Sequence, residues 1–143
     1  MKKYKDIVKE TMDFEKTKDI FAENYEYIEK DRCYNNVFHT LPSLMKNKNS
    51  KVVYGFVISG EPFKTGVIVR HCWSCIDGKI ADATMFVDGY INNNFIYIPF
   101  VEYTNLEEYI LSIEENNNYP CLEFDNEEEF IHKIEMLGYK YLG

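Results

Sequence analysis

Three short stretches of this 143-residue chain carry side chains suited to nucleophilic chemistry: Cys33-Tyr34-Asn35-Asn36, His71-Cys72-Trp73 and Asp82-Ala83-Thr84. A cysteine attacks as its thiolate, an imidazole moves the proton, and a carboxylate holds the imidazole in one tautomer and stabilises its charged form. Cys33 opens a predicted helix. There the positive end of the dipole and a nearby imidazolium favour the thiolate, and backbone N–H groups can receive an oxyanion.

Asp77-Gly78 is the strongest hairpin signal in the chain. With these two as the loop, Ile76 faces Lys79, Trp73 faces Asp82 and His71 faces Thr84, so His71, Trp73, Asp82 and Thr84 share one sheet face. His71 and Asp82 are then diagonal neighbours about 7–8 Å apart at the backbone, within side-chain reach. Cys72 and Ser74 point to the opposite face.

The elements that must position these groups follow from periodicity. Apolar spacing predicts a helix over about 14–32 and a second from Cys33 to about His39, ended or kinked by Leu41-Pro42. Runs of β-branched and aromatic residues predict strands over 51–59, 65–73, 79–87 and 94–101. Asn105 leads a helix over 106–115, and Asp125 or Asn126 leads another over 127–137, with acids in both first turns. The expected fold is α+β, an antiparallel sheet with N-terminal helices packed against it and two C-terminal helices. No repeat or linker divides the chain, which reads as one domain over 1–143.

A helix-initial Cys33, then His71-Cys72-Trp73, then Asp82-Ala83-Thr84, resembles the core of the transglutaminase-like and papain-like cysteine enzymes. The transglutaminase-like branch carries a helix-initial Cys, a His-Ala-Trp strand and an Asp-Pro-Thr strand in that order. The resemblance spans roughly residues 31–87, about 40% of the chain. Cys72 stands where that pattern has Ala, Ala83 where it has Pro, and Asp31-Arg32 where it has Gly or Gln. It implies a papain/transglutaminase-like core with Cys33 as nucleophile, His71 as general base and acid, and Asp82 as the orienting carboxylate. It also implies acyl transfer or hydrolysis at an amide, ester or thioester, as in a peptidase, a deamidase or a transglutaminase. Tyr34, Asn36 and Trp73 are the candidate substrate contacts. No cofactor or metal is expected, and the substrate or partner is expected to be a protein or peptide.

Sixteen Lys and Arg against 24 Asp and Glu leave a net charge of −8, without a basic stripe that would hold phosphates, which argues against nucleic acid. The longest apolar run, about Phe95–Val101, is too short to span a bilayer, and no secretory signal is read at the N-terminus. The four cysteines, Cys33, Cys72, Cys75 and Cys121, are therefore expected reduced, in a cytoplasmic protein. Two other readings stand beside the enzyme. One is a non-catalytic binding or inhibitory module of phage or mobile-element origin on the same fold, acting through its acidic face. The other is a zinc-stapled fold using Cys72 and Cys75, although residues three apart on a strand face opposite sides. His39 lies off the Cys33 face of its helix, and His132 sits among glutamates on a solvated one.

Overall fold

A computed structural model describes residues 1–90, 94–119 and 126–143. The architecture is α+β. The strands are β1 (Lys2–Lys3), β2 (Ser50–Ser59), β3 (Val67–Ile76), β4 (Lys79–Ala81), β5 (Ile96–Tyr103) and β6 (Lys140–Tyr141), in the order β1-β5-β2-β3-β4 with β6 on β3. The helices are α1 (Phe14–Asn24), α2 (Cys33–Leu44), α3 (Ala83–Val87), α4 (Leu106–Asn116) and α5 (Glu127–Glu135). Among the described residues no helix is long and apolar enough to cross a membrane.

Alternation along β2 and β3 sorts side chains onto two faces. Val52, Tyr54, Phe56, Ile58, Ile68 and Cys72 join the larger core with residues of α1, α2, α4 and α5. Val53, Val57, Trp73, Cys75, Ile80 and Tyr97 form a smaller core on the other face. The hairpin turn is as expected: Asp77 (φ 54°) and Gly78 (φ 76°) are both left-handed, and Ile76↔Lys79, Cys75↔Ile80 and Ser74↔Ala81 pair. Asn105 caps α4 by accepting from the Glu108 N–H at 3.1 Å.

Four expectations are corrected. The sheet is mixed rather than antiparallel, because β6 runs parallel to β3 through Val67↔Lys140 and Ile68↔Tyr141. The strand expected over 79–87 stops at Ala81. Asp82 is a strong helix N-cap, its Oδ1 accepts from the Met85 N–H at 3.1 Å, and α3 begins behind it. The helix expected over 14–32 ends at Asn24, followed by a 3₁₀ turn at Tyr25–Tyr27; the buried Asn24 amide donates to Ile20 C=O and Ser43 Oγ, tying this end to α2. Finally, α2 runs through Pro42 to Leu44. A proline inside a helix costs about 3 kcal/mol, but burying Leu41 and Leu44 recovers roughly 1.5–3 kcal/mol each.

Gly55, in the middle of β2, sits at a bulge. The register against β5 slips between Tyr54 and Gly55, and Gly55 pairs with Pro99. Pro99 cannot donate to the ladder, so a bulge is where a proline in an inner strand is tolerated.

Candidate functional site

Asp82 lies one residue past the last β4 pair, so it does not face Trp73 across a ladder, and Thr84 is on α3 rather than opposite His71. The two groups meet all the same. His71 Nε2 is 2.7 Å from Asp82 Oδ2, with both side chains buried. The carboxylate is fixed from every side. Tyr97 Oη donates to the same Oδ2 at 2.7 Å, Met85 N–H donates to Oδ1, and the Asp82 N–H donates to Thr17 Oγ1 at 3.0 Å. The imidazole lies beside the Trp73 ring, with centroids 6.0 Å apart and planes 25° apart, and beside Tyr97 at 6.2 Å.

Gly55 makes this stack possible. His71 pairs with Gly55 across the β2–β3 ladder, and a Cβ on Gly55 would lie 2.8 Å from the Trp73 ring. The absent side chain leaves the indole room over the β2 backbone. Tyr97, Thr17 and Gly55 are the positioning residues that sequence reasoning missed. A glycine inside an otherwise apolar strand is the one local signal that could have flagged any of them.

Cys33 is the first residue of α2. No side chain caps this helix, and the first intrahelical bond is Asn36 N–H to Arg32 C=O at 2.8 Å. The N–H groups of the opening turn therefore have no intrahelical acceptor. Cys33 and His71 line one cleft of about 390 Å³, whose apolar lining includes Val57, Val69, Tyr90 and Phe95. The Cys33 sulfur, on the same cleft, is among the groups that hold the proton on the imidazole. With Nε2 committed to Asp82, Nδ1 is the ring nitrogen open to it.

Burial by itself would strip the proton from His71. The Asp82 carboxylate, by charge and hydrogen bond, and the Cys33 sulfur outweigh it and push the imidazolium up from 6.5 to about 10. A folded value above the unfolded one adds stability that is complete below pH 6.5 and is lost as pH rises through about 10. Wild-type protein should therefore lose on the order of 1–3 kcal/mol more than His71→Gln between pH 6.5 and 10, measured by urea unfolding at both pH values. Equal losses in the two proteins would contradict a charged His71.

The three candidate substrate contacts are elsewhere. Trp73 is 1% exposed and supports the imidazole from within the smaller core. Asn36 is also 1% exposed. It accepts from the Glu29 N–H and donates to Glu29 C=O and Thr84 Oγ1, clamping the segment before α2 onto α3. Tyr34 packs edge-on against Tyr54, at 5.1 Å and 82°, beside the larger core. None of the three lines the cleft. Tyr34, one residue on from Cys33, turns toward the larger core, whereas Asn36, three residues on, spends its amide on Glu29 and Thr84.

Cys72 and Cys75 belong to different cores on opposite faces of β3, so they cannot close on one ion. Burial raises the Cys72 thiol well above its ordinary value and pushes Cys75 up to about 12, leaving both protonated and inert. Cys121 and Asp125 lie outside the described residues. Among the described residues no cluster of three or more His, Cys, Asp or Glu is placed to hold a metal ion. His39 stacks on Tyr27 at 5.5 Å, and His132 is exposed on α5.

No protein-family model, curated protein or solved structure matches this chain.

The site therefore speaks through its own geometry. It joins a thiol at an uncapped helix start, an imidazole held charged beside it, and a buried carboxylate behind the imidazole. These parts can generate a thiolate, deliver it to an electrophilic carbon and return a proton to a departing group.

Proposed function

We propose that this chain is a thiol enzyme that transfers or hydrolyses acyl groups, with Cys33 as nucleophile, His71 as general base and acid, and Asp82 as the carboxylate that orients His71. The observation that carries the reading is the cleft shared by Cys33 and His71, together with the 2.7 Å contact between His71 Nε2 and Asp82. Cys33, His71 and Asp82 also follow one another in the chain order of the transglutaminase-like and papain-like enzymes, which supports the same assignment. A peptide or protein amide in a reducing, cytoplasm-like compartment is the substrate setting this chemistry suits.

In the mechanism the Cys33 proton rests on His71 Nδ1 as a thiolate–imidazolium pair, and the sulfur attacks the acyl carbon of an amide, ester or thioester. Negative charge moves to the carbonyl oxygen, where N–H groups of the first turn of α2 can receive it. As the tetrahedral intermediate collapses, the C–N, C–O or C–S bond breaks. The leaving group departs with the proton from His71, and a thioester forms on Cys33. Water or an amine then attacks that thioester, giving its proton to His71, and the thiolate leaves. Asp82 keeps the ring in one tautomer throughout, and Tyr97 keeps Asp82 in place.

The test is alkylation by iodoacetamide at pH 6.5 in a Cys121→Ser background, followed by mass spectrometry. Cys33→Ala should remove the labelled site with the fold intact. His71→Ala should slow labelling of Cys33 by about tenfold or more, because the imidazolium that favours the thiolate is gone. A Cys33 rate indifferent to His71 would overturn the assignment.

A further inference from the structure

The cleft has two chemically distinct parts. One is the apolar lining of Val57, Val69, Tyr90 and Phe95, which continues the smaller face of the sheet beyond His71. The other is a pair of carboxylates, Asp31 two residues before Cys33 and Asp88 at the end of α3, both on the cleft wall. They approach closely: the Asp31 N–H donates to Asp88 Oδ1 at 3.1 Å, and burial together with the neighbouring Asp31 charge pushes the Asp88 carboxyl above its ordinary value. Among the described residues no lysine or arginine nitrogen lies within ion-pair distance of either. The one basic side chain of the wall besides His71 is Arg70, and its guanidinium is taken by Glu127, with Nε at 2.9 Å. Like charges held together without a counterion are unfavourable, and an incoming cation relieves them while an incoming anion is repelled.

We infer that the cleft selects a substrate carrying an organic cation, an ammonium or guanidinium on a short apolar stem, with the stem on Val57, Val69 and Phe95 and the cation between Asp31 and Asp88. A volume of about 390 Å³ lies at the small end of ligand sites and suits one such group beside a reacting carbonyl. This rests on Cys33 being the reacting group of the cleft, and it names the substrate class that the proposed chemistry leaves open.

Charged thiol reagents test it without a known substrate. In the Cys121→Ser background, Cys33 is modified by a trimethylammonium-ethyl, a sulfonato-ethyl or a neutral methyl methanethiosulfonate. In each case the Cys33 thiolate attacks the reagent's divalent sulfur, a disulfide forms and methanesulfinate leaves. Each charged rate is divided by the neutral rate of the same protein, and the cation-to-anion ratio is compared with that of free 2-mercaptoethanol. At about 20 mM salt the ratio on the protein should exceed the free-thiol ratio by about tenfold or more, falling as salt rises. Asp31→Asn combined with Asp88→Asn should bring it to within about twofold of the free thiol. A wild-type ratio equal to that of the free thiol overturns the inference, as does a high ratio that survives the double substitution. His71→Ala slows the neutral reagent and, by removing a positive charge beside Cys33, moves the ratio only upward, so failure of the proposed chemistry shows in the neutral rate. Protection of Cys33 from the neutral reagent by N-acetyl-arginine methylamide but not by n-butylamine places the cation on the acyl donor. Protection by n-butylamine alone places it on an amine acceptor, and protection by neither at millimolar concentration counts against the inference.

Discussion

Asp82→Ala should lower the unfolding free energy by about 3–5 kcal/mol, the usual cost of stripping one partner from a buried charged pair. Three losses act at one place. His71 keeps its burial and loses the carboxylate 2.7 Å from Nε2, the Tyr97 hydroxyl loses its acceptor, and α3 loses its N-cap. The cap alone accounts for about 1 kcal/mol. Asp82→Asn separates the fold from the charge. Its carboxamide keeps the volume and one acceptor, so its stability loss should be smaller, on the order of 1–2 kcal/mol. It cannot hold an imidazolium, however. With burial opposed only by the Cys33 sulfur, His71 should titrate well below the wild-type group, which the carboxylate holds far above its ordinary 6.5. Urea unfolding measures the first effect and ¹⁵N imidazole shifts measure the second. An Asp82→Ala protein within about 1 kcal/mol of wild type would show that this carboxylate is not the anchor described here.

The second large effect is expected at a residue with no side chain, directly across the ladder from His71. In Gly55→Ala the new methyl carbon would collide with the Ile98 carbonyl oxygen and stand 3.0 Å from Pro99 Cα and 2.8 Å from the Trp73 ring. Backbone on one side cannot retreat without opening the bulge between β2 and β5. The indole on the other is boxed in by Tyr97 at 5.0 Å and His71 at 6.0 Å. Overpacking of this kind costs about 3 kcal/mol, or roughly 10 °C in Tm for a chain of this size. Trp73 is the only tryptophan, so its fluorescence should report the displaced ring directly. A Tm within about 2 °C of wild type, with unaltered emission, would show that the strand absorbs the methyl and that Gly55 does not shape the support under His71.

The two substitutions probe features that differed greatly in how readable they were. Asp82 was expected beside His71 by counting back from Asp77-Gly78, and that count holds for the three pairs that form. Contact was reached by another route. The strand ends at Ala81, and the acid enters the site as the N-cap of α3. The β-branched Thr84 and Val87 read as strand, whereas the cap preference of Asp82, an equally local signal, pointed to a helix start. Gly55 carried a readable mark but gave no indication of which ring would lie over it. Tyr97 carried none: it is one of 12 tyrosines, and its role depends on β5 pairing with β2 through a slipped register. Asn36, Tyr34 and Trp73 were grouped with the site by proximity in sequence, yet Tyr34 and Trp73 pack into the two cores and Asn36 is spent on Glu29 and Thr84.

What the sequence determined alone is whatever short-range stereochemistry dictates. This covers the left-handed Asp-Gly turn and its register, the Asn105 cap, the long apolar strands β2 and β3, the start of α2 at Cys33 and the opposite facing of Cys72 and Cys75. Each depends on interactions within a few residues, where backbone geometry leaves few choices. The tertiary structure decided the rest. The sheet is mixed because two residues near the C-terminus lie along β3, Pro42 is absorbed because the leucines around it are buried, and Cys33 and His71 share a cleft because α2 packs on β3. The charge on His71 was likewise beyond local reading. It is the balance between burial, which the whole fold supplies, and one carboxylate held at 2.7 Å by a tyrosine and a helix cap from distant parts of the chain.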